Sequence, residues 1–222
     1  MAREYTVPYT ETAPPHTDRV VDTPWETAAL LEMDQFNWYE GGPQPRTTAR
    51  FLFDDTALYS QFHVEDDEIS SEVTELNGPT YQDSSVELFA DAGARDYYFN
   101  FEVNCCGYFL LAWQPYDPAE LEGDRDVIAP EMAERIALTS SIEGPTREPH
   151  PEDEEWWLTA TIPFEVLSAV TGRNVAPTSG DVWEANVYRS GVPSSQLASW
   201  SPILTDEHEY HSPEYFGRFV FV

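Results

Sequence analysis

Short runs in which apolar and polar residues alternate recur along this chain, and they constrain its fold more than any other feature. In "SSVELFAD", Val86 and Leu88 fall on one side of an extended backbone, and Ser85, Glu87 and Phe89 on the other, because successive strand side chains point to opposite faces. In "YYFNFEVN", Phe99, Phe101 and Val103 share one face, and Tyr98, Asn100, Glu102 and Asn104 the other. Similar runs extend from "TTARFLFDD" through "ALYSQFHVED", "GYFLLAWQ", "ERIALTSSIE", "WWLTATIP", "DVWEANVYRS" and "LASWSP" to "FGRFVFV". The 18 prolines and 11 glycines are scattered between them as punctuation, a spacing that suits a sandwich of short strands. The prediction from the pattern alone is an all-β sandwich. One short helix is expected over "PFEVLSAVTG", with Pro163 in its first turn and Gly172 as its stop. Residues 1–24 are expected to form an extended arm and residues 25–222 a single domain.

Charge narrows the partners. The 222 residues carry 41 acids and 11 bases, every base is Arg, and the net charge is −30. Acid excess spread over the whole chain, with Lys absent, points to adaptation to high salt, where the Debye length shrinks to about 3 Å at 1 M and self-repulsion fades. Nucleic acid is excluded as a partner because its phosphates need basic contacts, and an anionic membrane surface for the same reason. "MAREYTVPYT" has no apolar leader core, which places the chain as given in the cytoplasm; a trimmed signal would make it secreted. Nothing in the sequence sets the oligomeric state. The adjacent Cys105 and Cys106 are read as two thiols, since neighbouring residues close only a strained disulfide.

The polar strand face is the best lead to function. Asn is disfavoured in strands, so Asn100 and Asn104 flanking Glu102, with Glu87 across from them, need a reason. A mono- or oligosaccharide supplies one. Its hydroxyls both donate and accept, carboxylates accept them and amides do both. Its C–H face packs on aromatic rings, for which Tyr81, Tyr188, Trp200 and Tyr210 are available, while Trp25, Trp156 and Trp183 sit among core-forming residues. Glu87 and Glu102 could also act as the carboxylate pair of a glycoside-acting enzyme. A third reading is a structural or partner-binding sandwich whose sugar site has decayed. "DEHEYH", Asp206 to His211, combines two histidines with acids, as a transition-metal site or a solvated loop would; calcium on surface carboxylates and carbonyls is a further option.

Seven stretches in order, "LYSQFHVEDDEI", "YQDSSVELFAD", "YYFNFEVNCCG", "WLTATIPFEVL", "GDVWEANVYRSG", "SWSP" and "HSPEYFGRFVF", resemble the family 9 carbohydrate-binding modules, and more closely the stand-alone domains like them. The resemblance runs from about Trp25 to the C-terminus. It implies an all-β, jelly-roll or DOMON-like β-sandwich of two antiparallel sheets, non-catalytic sugar binding between two aromatic walls over a polar strand floor, and structural calcium with no other cofactor. By motif, the walls are Tyr81 and Tyr210, both at positions where the pattern has Trp, and Glu87 takes sugar hydroxyls. Glu102 stands where the pattern has Arg, Asn104 and Asn186 match, and Tyr188 replaces an amide. Arg189 is expected to supply the missing positive charge, and His211 follows the second wall.

Overall fold

The expected period-two pattern becomes two stacked sheets. The structure, a computed structural model, describes residues 3–93, 96–120, 126–192 and 196–222. Strands β1 (Glu4–Val7), β2 (Leu31–Glu32), β3 (Thr47–Phe53), β4 (Ala57–Glu65), β5 (Ser85–Asp91), β6 (Tyr97–Asn104) and β7 (Phe109–Pro115) are followed by β8 (Asp126–Val127), β9 (Ala137–Ser140), β10 (Glu155–Pro163), β11 (Val182–Ser190), β12 (Ala198–Ser199) and β13 (Gly217–Phe221). One sheet has the order β1-β13-β11-β5-β6-β7-β8, with β12 on β11; the other runs β2-β3-β4-β10-β9. All these pairings are antiparallel except β1 with β13, which is parallel. A short helix α1 spans Pro130–Ala133 and the longer α2 spans Phe164–Thr171. Pro163 sits one residue earlier than expected, as the N-cap of α2, and Gly172 ends it in the left-handed region at φ 64°, a conformation glycine adopts without strain.

The inner faces are those the alternation predicts. Val86, Leu88 and Ala90 of β5, Phe99, Phe101 and Val103 of β6, and Ala185 and Val187 of β11 meet Phe51, Phe62, Leu158 and Ala160 of the second sheet in one core. Fully burying side chains of this size contributes about 1.5–3 kcal/mol each. The N-terminal segment is an integral part of this packing. Tyr5 and Val7 of β1 belong to the core, and Tyr5 Oη donates to the Ala29 carbonyl while accepting from Phe51 N–H. Further on, Trp25 and Ala28 cover Leu52, Ala57 and Tyr59 on the far side of the five-stranded sheet.

The outer face of β5, β6 and β11 is also buried. Loops around residues 70–84 and 197–216 fold over it, and Phe89, Tyr98, Tyr188, Ile203 and Phe216 form a second aromatic cluster there. A face that would be solvated in a simple sandwich is thus roofed at both ends, and the gap between the two roofs is the site.

Candidate carbohydrate site

The register of β5 and β6 builds the floor. Glu87 pairs directly with Glu102, which places two carboxylate side chains side by side on the outer face, with Cβ atoms about 4.5–5.5 Å apart. Both are almost fully buried, at 2% and 3% exposure, yet both line a cleft of about 660 Å³. On one side the turn Thr80–Gln82 presents Tyr81, which is 50% exposed. Thr80 beneath it is buried and donates to the Glu102 carbonyl, so the ring is mounted on the floor strand itself. Tyr210 and Trp38 line the same cleft.

Tyr210 is braced from several directions. Its ring stacks on Tyr188 with centroids 4.2 Å apart and lies 5.6 Å from Trp38, which stacks in turn on His208. Its hydroxyl donates to the Arg189 carbonyl at 2.6 Å. Burial, and then the charge of Glu87, push the phenol groups of Tyr188 and Tyr210 well above their ordinary pKa, so both remain hydroxyls at any physiological pH.

Of the residues expected in the site, Tyr81, Glu87, Glu102, Tyr210 and His211 line the cleft. The others have different surroundings. Asn100 donates to Glu102 Oε1 at 2.5 Å, so it positions the floor from the side. Asn104 is consumed structurally: its amide donates to Asp83, Ser71 and the Val73 carbonyl, and its oxygen accepts from Cys106 and Tyr108 N–H. That network offsets the propensity cost of an Asn in this strand. Asn186 clamps the strand that follows through Ser201 N–H and C=O, and Tyr188 lies behind Tyr210 with no exposure.

Two expectations need correction. Arg189 lies on the inner face of β11, where Nη2 is 3.3 Å from Asp66 and 2.7 Å from Gln196 and Nη1 donates to the Glu65 carbonyl; its charge is committed to Asp66. Trp200 packs in the main core, edge-on to Phe219 at 5.6 Å. Gly217 makes room for it: a Cβ there would lie 2.5 Å from the Trp200 ring.

The residues missed by sequence reasoning are loop residues, among them Trp38, Gln82, Gly191 and His208. Trp38 carried a signal, since it stands in the polar, Gly-rich stretch "FNWYEGG" with no strand alternation around it. Gly191 closes the rim against residue 83. It has φ 91°, and a Cβ would lie 1.5 Å from the Asp83 carbonyl oxygen, so only glycine fits.

The histidines of "DEHEYH" do not converge. His208 stacks on Trp38, whereas His211 Nδ1 accepts from Gln114 Nε2 and lies 2.6 Å from Tyr98 Oη. Among the described residues no group of three or more His, Cys, Asp or Glu side chains could hold a metal ion, so the calcium implied by the resemblance finds no matching side-chain set there. Cys105 and Cys106 are free thiols. Their hydrogen bond draws the Cys106 thiol down to about 7. Among the described residues no helix is long and apolar enough to cross a membrane.

Comparison with known proteins agrees with this architecture. A candidate carbohydrate-binding protein from Bacteroides uniformis superimposes with a TM-score of 0.85 at 24% identity over 100% of both chains. A carbohydrate-binding module of family 9 from Caldicellulosiruptor kristjanssonii, solved with cellotriose and with glucose, gives TM-scores of 0.63 and 0.62 at 16% identity. The two alignments cover 99% of this chain and 93% and 96% of the module. No curated protein has a matching sequence. The family model for carbohydrate-binding family 9 matches residues 18–221, and the chain belongs to that family.

Proposed function

We propose that this protein is a non-catalytic carbohydrate-binding domain whose ligand lies in the cleft between Tyr81 and Tyr210, over Glu87 and Glu102. The observation that carries the reading is the floor: two buried carboxylates, directly opposed in register, opening into a cleft walled by aromatic rings. Sugar hydroxyls would donate to the carboxylates and a ring face would stack on Tyr81. The Caldicellulosiruptor module of the same family is bound to glucose and cellotriose, which supports a saccharide as the class of ligand.

Calorimetry at molar KCl against a panel of neutral and charged mono- and oligosaccharides tests this. At least one sugar is expected to bind, and Tyr81→Ala and Glu87→Ala are each expected to weaken it about tenfold, the equivalent of about 1.4 kcal/mol, with melting temperatures close to the parent's. Full affinity in both variants would place the site elsewhere.

The enzyme reading is weaker for a geometric reason. A glycosidase needs its two carboxylates to flank the scissile bond. Glu87 and Glu102 project from neighbouring strands of one sheet face, so both meet the same side of a ligand. No hydrolysis of chromogenic glycosides is expected, and a rate abolished by Glu87→Gln would establish the enzyme instead.

A further inference from the structure

We propose that Cys105 and Cys106, at the tip of the hairpin between β6 and β7, form a thiol-modification site that a peroxide closes reversibly to a disulfide, with Cys106 as the attacking sulfur and Cys105 as the resolving one. They are the chain's two cysteines, both free, with hydrogen-bonded sulfurs 3.8 Å apart. Their backbone lies beyond the sheet ladder. They fill the two central positions of a β-turn closed by Gly107 N–H, which donates to the Asn104 carbonyl at 2.9 Å. Gly107 has φ 85°, which glycine adopts without strain. The turn can therefore readjust as the sulfurs approach without breaking a rung between the strands. The two residues are not held alike. Cys105 N–H donates to the Ser84 carbonyl, and the Cys105 carbonyl accepts from Ser140 Oγ. Cys106 N–H donates to the Asn104 side chain within the turn itself, so Cys106 is the residue with room to swing.

The surroundings of the two sulfurs divide the roles. Cys105 belongs to the main core and has no exposure, whereas Cys106 is partly exposed. As a thiol, Cys106 donates to the Gly144 carbonyl at 2.6 Å. The hydrogen bond from Cys105 favours its thiolate, partial burial opposes this and Ser71 adds to it, which leaves the Cys106 pKa at about 7. The same hydrogen bond, and then burial, hold Cys105 as a thiol. An accessible sulfur of low pKa beside a buried thiol is the arrangement of a redox-reactive cysteine and its resolving partner. The Cys106 thiolate attacks one oxygen of hydrogen peroxide, the O–O bond breaks, and the departing hydroxide takes up a proton to become water. Cys106 has then given up two electrons and is a sulfenic acid. The Cys105 sulfur attacks the Cys106 sulfur, the S–S bond forms, the S–O bond breaks, and the hydroxide leaves as water with the Cys105 proton. A disulfide between neighbours is strained and easily reduced, which makes the modification reversible.

The test treats the whole chain, folded in molar KCl at about pH 7.5, with hydrogen peroxide and follows intact mass and thiol content. Both thiols are expected to disappear together with a loss of about 2 Da, and to return with dithiothreitol. Limiting iodoacetamide on the reduced parent, read by peptide mapping, is expected to label Cys106 about tenfold or more faster than Cys105. In Cys105→Ser the reaction is expected to stop at a sulfenic acid that dimedone traps, and in Cys106→Ser the remaining thiol is expected to oxidise about tenfold or more slowly than the parent pair. A gain of about 16 or 32 Da with no loss of 2 Da, a covalent dimer, or thiols that survive the peroxide would each overturn the proposal. Iodoacetamide labelling of Cys105 as fast as Cys106 would overturn it too, because the assigned roles would then have no basis. The measurements on the parent protein decide the matter even if a serine variant fails to fold.

Discussion

Raising KCl from about 0.1 M to about 3 M is expected to lift the melting temperature by about 15 °C or more. The net charge is −30, and most of the described bases already have an acidic partner. Arg3, Arg19, Arg46, Arg135 and Arg218 each pair with a neighbouring carboxylate at the surface, and Arg189 is buried against Asp66. The excess acids therefore face one another. Two unit charges about 10 Å apart in water repel by about 0.4 kcal/mol. About fifteen such nearest pairs among the uncompensated acids give about 6 kcal/mol, most of it screened at molar salt. For a chain of this size about 1 kcal/mol corresponds to about 2–4 °C. The surface ion pairs work against the trend, but exposed pairs contribute well under about 1 kcal/mol each. Thermal melts monitored by circular dichroism in a KCl series check the expectation. A melting temperature constant across the series would mean that the acids are spaced widely enough to ignore one another, and the high-salt reading of the composition would be wrong.

How far the molecule was legible in its sequence depended on whether a residue sits on a strand. The sandwich, its core face and the position of α2 all follow from period-two alternation and Gly/Pro punctuation, which are local signals. The parallel pairing of β1 with β13 was not legible, because a four-residue strand carries little pattern and its partner lies at the other end of the chain. Tyr81, Glu87, Glu102 and Tyr210 line the candidate cleft; motif points to the first and last, and alternation to the carboxylates. Trp38 and His208 escaped because loop residues reach the cleft only through tertiary folding. The error at Arg189 has a different cause. In "EANVYRS" the alternation already puts Asn186 and Tyr188 on one face and Val187 and Arg189 on the other. Charge balance at Glu102 points to the cleft, alternation points to the core, and the structure follows alternation. The three polar residues of β6 share one face, yet they divide into a cleft carboxylate, its supporting amide and a structural clamp. Alternation determines a residue's face; what covers that face is set by chain far away in sequence.

Arg189→Met is therefore expected to damage the fold and spare the cleft. The guanidinium and the Asp66 carboxylate are 3% and 0% exposed, and burial lowers the pKa of the Arg189 guanidinium while Asp66 opposes that shift. The pair bridges the two sheets at one end of the core, because Arg189 lies on β11 and Asp66 directly follows β4. Removing the cation leaves Asp66 buried with Trp156 Nε1 and Glu68 N–H as its donors among the described residues. Breaking a buried pair from one side costs about 3–5 kcal/mol, which for this chain length is a fall of about 10–15 °C in melting temperature. Adding Asp66→Asn removes the stranded charge and keeps an oxygen for both donors, so the double variant is expected to recover about half of the loss. The cleft residues project from the opposite face of β11, and the Arg189 carbonyl that holds Tyr210 survives the substitution. At molar KCl, where both variants remain folded, sugar affinity is expected to stay within about twofold of the parent, a difference of about 0.4 kcal/mol. The opposite result, an unchanged melting temperature with affinity reduced tenfold or more, would return Arg189 to the binding site and overturn the division of labour between the two faces of this strand.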